Sequence, residues 1–157
     1  MSLSAVTDYL KQFNAQDRIM TFDVSSATVE LAAQAIGCEG KQIAKTMSFL
    51  VDGKAVLIVT AGDTKIDNSK FKAMFRTKAK MLTPEQVTEL TGHVIGGVCP
   101  FALSDDCRVF LDESLKRFDI VYPAAGTPAS AVRLTPAELE TYSRAAGWAD
   151  LTKPIDG

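Results

Sequence analysis

Two separated features of this 157-residue chain have the residue types and spacing to do chemistry. The first is Lys45, in Gly40-Lys41-Gln42-Ile43-Ala44-Lys45-Thr46, just ahead of the apolar run Met47 to Val51. Its side chain stands where an extended segment begins, a place from which a long cation can reach over the mouth of a sheet. A lysine ammonium is a compact charge able to hold a phosphate or polarise a carbonyl, although composition alone makes a lysine an exposed residue first. The second is Gly96-Gly97-Val98-Cys99-Pro100-Phe101, directly after Val94-Ile95. Its glycines permit close backbone approach and Pro100 stiffens the exit, so successive amide N–H groups can face a ligand and stabilise an oxyanion. The same residues also suit a tight connection between two strands.

Other chemistries lack their residues. His93 is the one histidine, and no cluster of His, Cys and carboxylates has metal-ligand spacing, so neither a catalytic metal nor an organic cofactor is expected. There is no Gly-x-Ser-x-Gly elbow and no Gly-x-x-x-x-Gly-Lys-Ser/Thr loop. His93, beside Gly92, reads as a surface or helix-end residue. Cys99 with His93 six positions before it is an alternative nucleophile, but sequence spacing does not fix a thiol-to-imidazole distance and buried free cysteine is common. Cys38, Cys99 and Cys107 include no Cys-x-x-Cys pair, and reduced thiols in a cytosolic setting are expected.

The 46% hydrophobic and 23% charged content is that of a globular domain, and a formal charge of −2 argues against a general nucleic-acid or DNA binder. Charge is nevertheless uneven. Lys65, Lys70, Lys72, Arg76, Lys78 and Lys80 face Asp67 alone, a local balance of +5. With Phe71, Met74 and Phe75 as an apolar stripe this is a solvated helix face, or Lys70, Lys72 and Arg76 hold an RNA backbone. No apolar run approaches the ~20 residues of a membrane span and no signal peptide is evident, so a cytoplasmic protein without membrane contact is expected.

The elements that must position these groups follow from periodicity and caps. Val6, Leu10 and Phe13 mark an amphipathic helix; Met20, Phe22 and Val24 alternate as a strand. Thr28 can cap a helix carrying Val29, Ala32, Ala33 and Ile36, with Gly37 as its stop. Met47 to Val51 and Ala55 to Ala61 flank Asp52-Gly53, a type I′ hairpin signal. Thr83-Pro84-Glu85-Gln86 and Thr135-Pro136-Ala137-Glu138 each combine a capping box with proline at the first helical position. Val94-Ile95, Val109 to Leu111, Asp119 to Tyr122 and Ala131 to Leu134 read as short strands. The result is a single α/β (α+β) domain over 1–157, a mixed sheet with helices packed outside it.

Gly40 to Thr46, Gly96 to Phe101, Val109 to Leu115 and Ala125-Gly126-Thr127-Pro128, in that order over roughly residues 20 to 140, resemble the YbaK/EbsC family, relatives of the bacterial prolyl-tRNA synthetase editing domain. The resemblance implies a partly closed, barrel-like sheet of six to seven strands with its site at one mouth. It also implies a trans-editing aminoacyl-tRNA deacylase acting on tRNA mischarged with a small amino acid, tRNA(Pro) first, with prolyl-tRNA synthetase as a further partner. A binding module that holds a tRNA 3′ end or small ligand without hydrolysis is the other function class. The family lysine on which deacylation depends falls on Lys45. Thr46, the backbone from Gly96 and Gly97 through Val98, Cys99 and Pro100, and the wall Gly126, Thr127 and Pro128 fall on substrate-binding positions, with Phe22 and Phe101 narrowing the pocket. Two departures bear on substrate. Ala102 stands where glycine usually follows the Pro-Phe pair. Ala124 and Ala131 replace the serine and aspartate of the cysteinyl-tRNA subgroup, so alanyl or other small esters fit better.

Overall fold

The computed structural model of the chain describes residues 2–22, 28–94 and 97–155. Helix α1 (Ser2–Lys11) fully buries Val6 and Leu10, with Tyr9 and Phe13 packed beside them. Strand β1 is Ile19–Thr21; Phe22 follows it, while Val24, expected to continue the alternation, lies outside the described residues. Thr28 caps α2 (Val29–Ile36) by accepting the Leu31 N–H, and Gly37 ends it at φ 84°. Strands β2 (Ile43–Val51) and β3 (Lys54–Ala61) close through Asp52 and Gly53 at φ 54° and 78°, the two positive values a type I′ turn requires.

After β4 (Thr64–Ile66), Asp67 starts α3 (Asn68–Phe75) by accepting the N–H groups of Ser69 and Lys70. Both anticipated capping boxes form. Thr83 and Gln86 open α4 (Pro84–Thr91), and Thr135 and Glu138 open α5 (Pro136–Ser143), which is flanked by β7 (Ser130–Val132). Between α4 and β7 lie β5 (Arg108–Asp112), a 3-10 turn at Glu113–Arg117, and β6 (Tyr122–Pro123). Beyond α5 come β8 (Gly147–Ala149) and β9 (Thr152–Pro154), which the periodicity gives no reason to expect. Two expected strands shrink. Val94 is not in a strand and Ile95 lies outside the described residues, and of Asp119 to Tyr122 only Tyr122 joins β6.

The central sheet has the order β6-β2-β3-β5-β8, antiparallel at β2–β3 and parallel elsewhere. A Val121–Leu134 bridge, just before β6 and just after β7, ties on the β1–β7 ribbon and brings seven strands into a strongly curled half-barrel with helices outside. β3 is buried at every position after Lys54 because both faces are covered. Leu57, Val59, Val109 and Leu111 face one core with α1 and Phe101; Val56, Ile58 and Phe110 face the other with Phe49 and Phe71. Each fully buried Leu, Ile or Phe contributes about 1.5–3 kcal/mol relative to exposure. At the end of β5, the buried Asp112 carboxylate accepts the N–H of Ser114 (3.0 Å) and of Leu151 (2.8 Å) and the Thr152 hydroxyl (2.8 Å), pinning the chain that leads into β9.

Candidate functional site

A cavity of about 270 Å³ opens where the outer edge of β2 meets α2, α4 and the segment after β6. Lys45, Thr46, Met47 and Ser48 supply one side, and Thr28, Val29, Ala32 and Ile36 of the α2 region a second. Met81, Leu82, Val87 and Val98 supply a third, and Tyr122, Ala124, Thr127, Pro128, Ser130 and Ala131 close it. The volume lies near the lower end for small-molecule sites.

Lys45 is half-buried and donates its ammonium to the Thr64 carbonyl, so it is a positioned side chain and not a solvated one. Loss of water around the ammonium pulls its pKa below the usual lysine value, with Asp63 and Glu30 opposing the shift electrostatically. Asp63 is committed elsewhere, to a two-pronged pair with Arg117 at 2.6 and 3.1 Å. Next to Lys45, the Thr46 hydroxyl is buried with no hydrogen-bond partner among the described residues while its residue lines the cavity.

The opposite wall is a rigid turn. Thr127 Oγ1 donates to Ser130 Oγ (3.0 Å), Ser130 Oγ donates to the Thr127 carbonyl (3.0 Å) and accepts the Ala125 N–H (3.2 Å), and Gly126 adopts φ 97°. Against this turn lies Gly97, so close that a Cβ on it would sit 2.3 Å from the Gly126 carbonyl oxygen. The two glycine segments singled out in the sequence therefore touch. The Gly97 N–H is spent on the Val94 carbonyl (3.0 Å), whereas among the described residues the amides of Val98 and Cys99 donate to no protein acceptor.

The remaining sequence candidates are distributed less evenly. Gly96 lies outside the described residues. Cys99 and Phe101 are fully buried in the core, and Pro100 lines a separate depression with Tyr9 and Arg144. Phe22 is half-buried, donates its N–H to Ala129 (2.9 Å) and is not on the cavity wall. Ala102 adopts φ 55°, the left-handed region glycine favours, at a cost of roughly 1–2 kcal/mol. Lys70 pairs with Asp150 (2.9 Å) and the Thr152 carbonyl (2.7 Å), while Lys72 and Arg76 are exposed. The basic segment runs to the cavity rim, where Met81 bridges to Phe49. Val29, Ala32, Ile36 and Ser130 are cavity residues that sequence reasoning did not select; their apolar or small side chains carry no signal apart from packing.

His93, expected near the surface, is buried at 1% exposure. Its Nε2 lies 2.7 Å from the Phe101 carbonyl, which can only accept, so Nε2 carries the proton; Nδ1 is buried without a partner among the described residues. Cys99 Sγ is 3.6 Å from that same Nε2, which has no lone pair free to take the thiol proton. Complete burial pushes the Cys99 thiol up to about 12. A thiolate nucleophile is not built here, and among the described residues no group of His, Cys and carboxylates could hold a metal ion. Among them, too, no helix is long and apolar enough to cross a membrane.

The chain matches a family model described as the aminoacyl-tRNA editing domain over residues 23–142. A Bacillus subtilis (strain 168) protein named YwhH, itself uncharacterised, is 50% identical over 154 residues, covering 98% of both chains. A proline–tRNA ligase of Leuconostoc citreum (strain KM20) is 32% identical over 100 residues, which is 63% of this chain but 17% of the ligase. Among solved structures, a candidate trans-editing enzyme for prolyl-tRNA synthetase superposes with a TM-score of 0.88 at 33% identity, covering 97% of each chain. The hypothetical protein APE2540 does so at 0.84 and 25% identity, covering 95% of this chain and 99% of that one.

Proposed function

Because the chain belongs to the aminoacyl-tRNA editing domain family, we propose that it is a trans-editing deacylase, one domain over 1–157, that hydrolyses the ester joining a small amino acid to a mischarged tRNA. tRNA(Pro) is the first candidate body, and prolyl-tRNA synthetase is the enzyme whose errors it would clear. The observation that carries this reading is that Lys45, Val98 and Thr127-Pro128, from three separated segments, line one cavity.

In this mechanism the Lys45 ammonium, held by Thr64, anchors the substrate at the ester or the adjoining phosphate. Water attacks the carbonyl carbon and the resulting oxyanion takes a hydrogen bond from the backbone amide of Val98, a residue of the cavity wall. The bond to the ribose 3′-oxygen then breaks, that oxygen leaves with a proton, and the amino acid departs as its acid. Among the described residues no histidine or carboxylate lines the cavity, so the tRNA 2′-hydroxyl is the economical relay for the proton. In this reading Lys72 and Arg76, exposed on the basic segment that leads to Met81, meet phosphates of the acceptor stem, and Lys70, tied to Asp150, contributes less.

The cavity also favours small side chains. Ala124 and Ala131 both lie on its wall, where they offer neither hydroxyl nor carboxylate. Such a surface excludes bulk but separates small groups weakly, a methylene being worth about 1–3 kcal/mol. The test is deacylation of tRNA(Pro) charged in turn with alanine, serine, cysteine and proline. Alanyl and seryl esters should be cleared at least as well as cysteinyl. Hydrolysis of none of them, with tRNA binding intact, would favour the non-catalytic binding module.

A further inference from the structure

The outer edge of β2 is paired at both ends and open in the middle. At its start, Ile43 and Ala44 pair with Tyr122 and Pro123 of β6. At its end, Leu50 donates its N–H to the Lys80 carbonyl (2.8 Å) and Ser48 accepts the Leu82 N–H (3.1 Å). Between these, among the described residues, no strand pairs with the edge, and Lys45, Thr46, Met47 and Ser48 line the cavity. Backbone groups of an antiparallel strand alternate in direction. Since Ser48 and Leu50 turn theirs outward, Thr46 does as well, so its N–H and its C=O both point into the opening. The Thr46 hydroxyl is buried there, also without a partner among the described residues.

We propose that this gap is the subsite for the α-amino acid portion of the substrate, and that Thr46 holds it as one residue of an added strand. In a hydrogen-bonded antiparallel pair, two residues exchange both N–H···O bonds. An aminoacyl ester is the smallest ligand with the matching atoms, an amine and a carbonyl on either side of one α-carbon. Its ammonium donates to the Thr46 C=O and its ester carbonyl accepts the Thr46 N–H. A carbonyl oxygen has two lone pairs, so this leaves one for the amide at Val98. The site thereby reads the backbone of the amino acid independently of its side chain, and the apolar walls read only size. Thr46 is a positioning residue in this scheme, which rests on the deacylase reading above.

The experiment changes the ligand and leaves the protein intact. One tRNA body carries alanyl, lactyl or propionyl groups at the 3′ end, replacing the amine by hydroxyl and then by hydrogen. Measured relative to the uncatalysed hydrolysis of each ester, loss of a charged donor to the Thr46 carbonyl should lower kcat/KM for the propionyl ester about tenfold to a hundredfold, with lactyl between. Propionyl within about threefold of alanyl overturns the inference while leaving the deacylase reading standing. A second readout needs no turnover: amide NMR of the full chain with 3′-alanylamino-3′-deoxyadenosine. The Thr46 amide should shift and exchange more slowly. A bound probe that moves Val98 and Ala131 but not Thr46 overturns the subsite alone, and absence of both binding and hydrolysis overturns the deacylase reading with it.

Discussion

Gly97 and Gly126 meet backbone to backbone. A Cβ on Gly97 would lie 2.3 Å from the Gly126 carbonyl oxygen and 2.8 Å from its carbonyl carbon, with no flexible side chain to give way. Gly97→Ala must therefore move one cavity wall against the other. The variant should lose about 1–3 kcal/mol of stability and at least about tenfold in kcat/KM, because a small displacement misplaces oriented groups. Thermal melts and deacylation rates read both; an alanine variant indistinguishable in both would mean that this close approach does not set the site.

Lys45→Met keeps the apolar stem and removes the ammonium. Loss of one oriented charge on the reacting group should cost about 10²–10³ in kcat, while leaving the Thr64 carbonyl unpaired costs only about 1 kcal/mol of stability. The wild-type rate has a pH signature as well. Burial lowers the Lys45 pKa, so the charged form is lost, on raising the pH, sooner than for a free lysine at 10.5. Background-corrected rates should fall on the alkaline side below that value, and the methionine variant should lack this limb.

Cys99→Ala should keep at least a tenth of the activity. Its thiol is buried, titrates near 12, and faces an imidazole nitrogen already donating to Phe101. Thiol-directed reagents should not inactivate the folded protein through this residue. An inactive Cys99→Ala that still melts as the wild type does would restore the thiol to the mechanism.

Neutralising Lys72 and Arg76 should weaken tRNA binding and reduce its salt dependence by about one unit of log–log slope for each phosphate no longer neutralised. Lys70→Ala should change that slope little, since its ammonium is engaged by Asp150 and Thr152. An unchanged slope in the Lys72, Arg76 double variant makes the segment a solvated face.

Glu138 serves two partners. Arg18 holds its carboxylate at 3.0 and 2.9 Å and draws its pKa down to about 2, and the same side chain completes the α5 capping box with the Thr135 N–H. A depressed carboxylate pKa stabilises the fold above the ordinary glutamate value, 4.5, and that contribution is lost as pH falls through about 2. Glu138→Gln retains the cap and removes the charge. It should melt lower than wild type at pH 7, with the gap closing on acidification; a gap independent of pH would assign the role to the cap alone.

Local rules made much of the fold legible. Thr28, Thr83 and Thr135 announce helices because a side-chain oxygen before an apolar run has one obvious use, and Asp52-Gly53 announces its hairpin because few residue pairs accept its φ values. The three-residue strands β8 and β9 were hidden because so short a segment has no period, and each pairs with a strand distant in sequence. At the site, Lys45 and Thr127 were visible through motif resemblance, and the cavity brings them together. Ser130 and the open β2 edge were not, since one is a small residue in a polar knot and the other is a property of backbone groups that the sequence cannot display. His93 misled because a histidine beside a helix-ending glycine looks exposed, yet a single carbonyl, that of Phe101, is enough to keep it inside.

The Asp112 carboxylate has a consequence for the order in which the molecule is made. Its buried oxygens are satisfied in part by Leu151 and Thr152, 39 and 40 positions later. During synthesis the central strands emerge well before those donors, so a nascent chain that closes its core early traps a carboxylate short of hydrogen bonds. Burying an incompletely paired charge is costly, which makes closure around Asp112 unfavourable until Leu151 and Thr152 are in place. Leu151 and Thr152 thus act as a latch whose engagement and the burial of Asp112 go together.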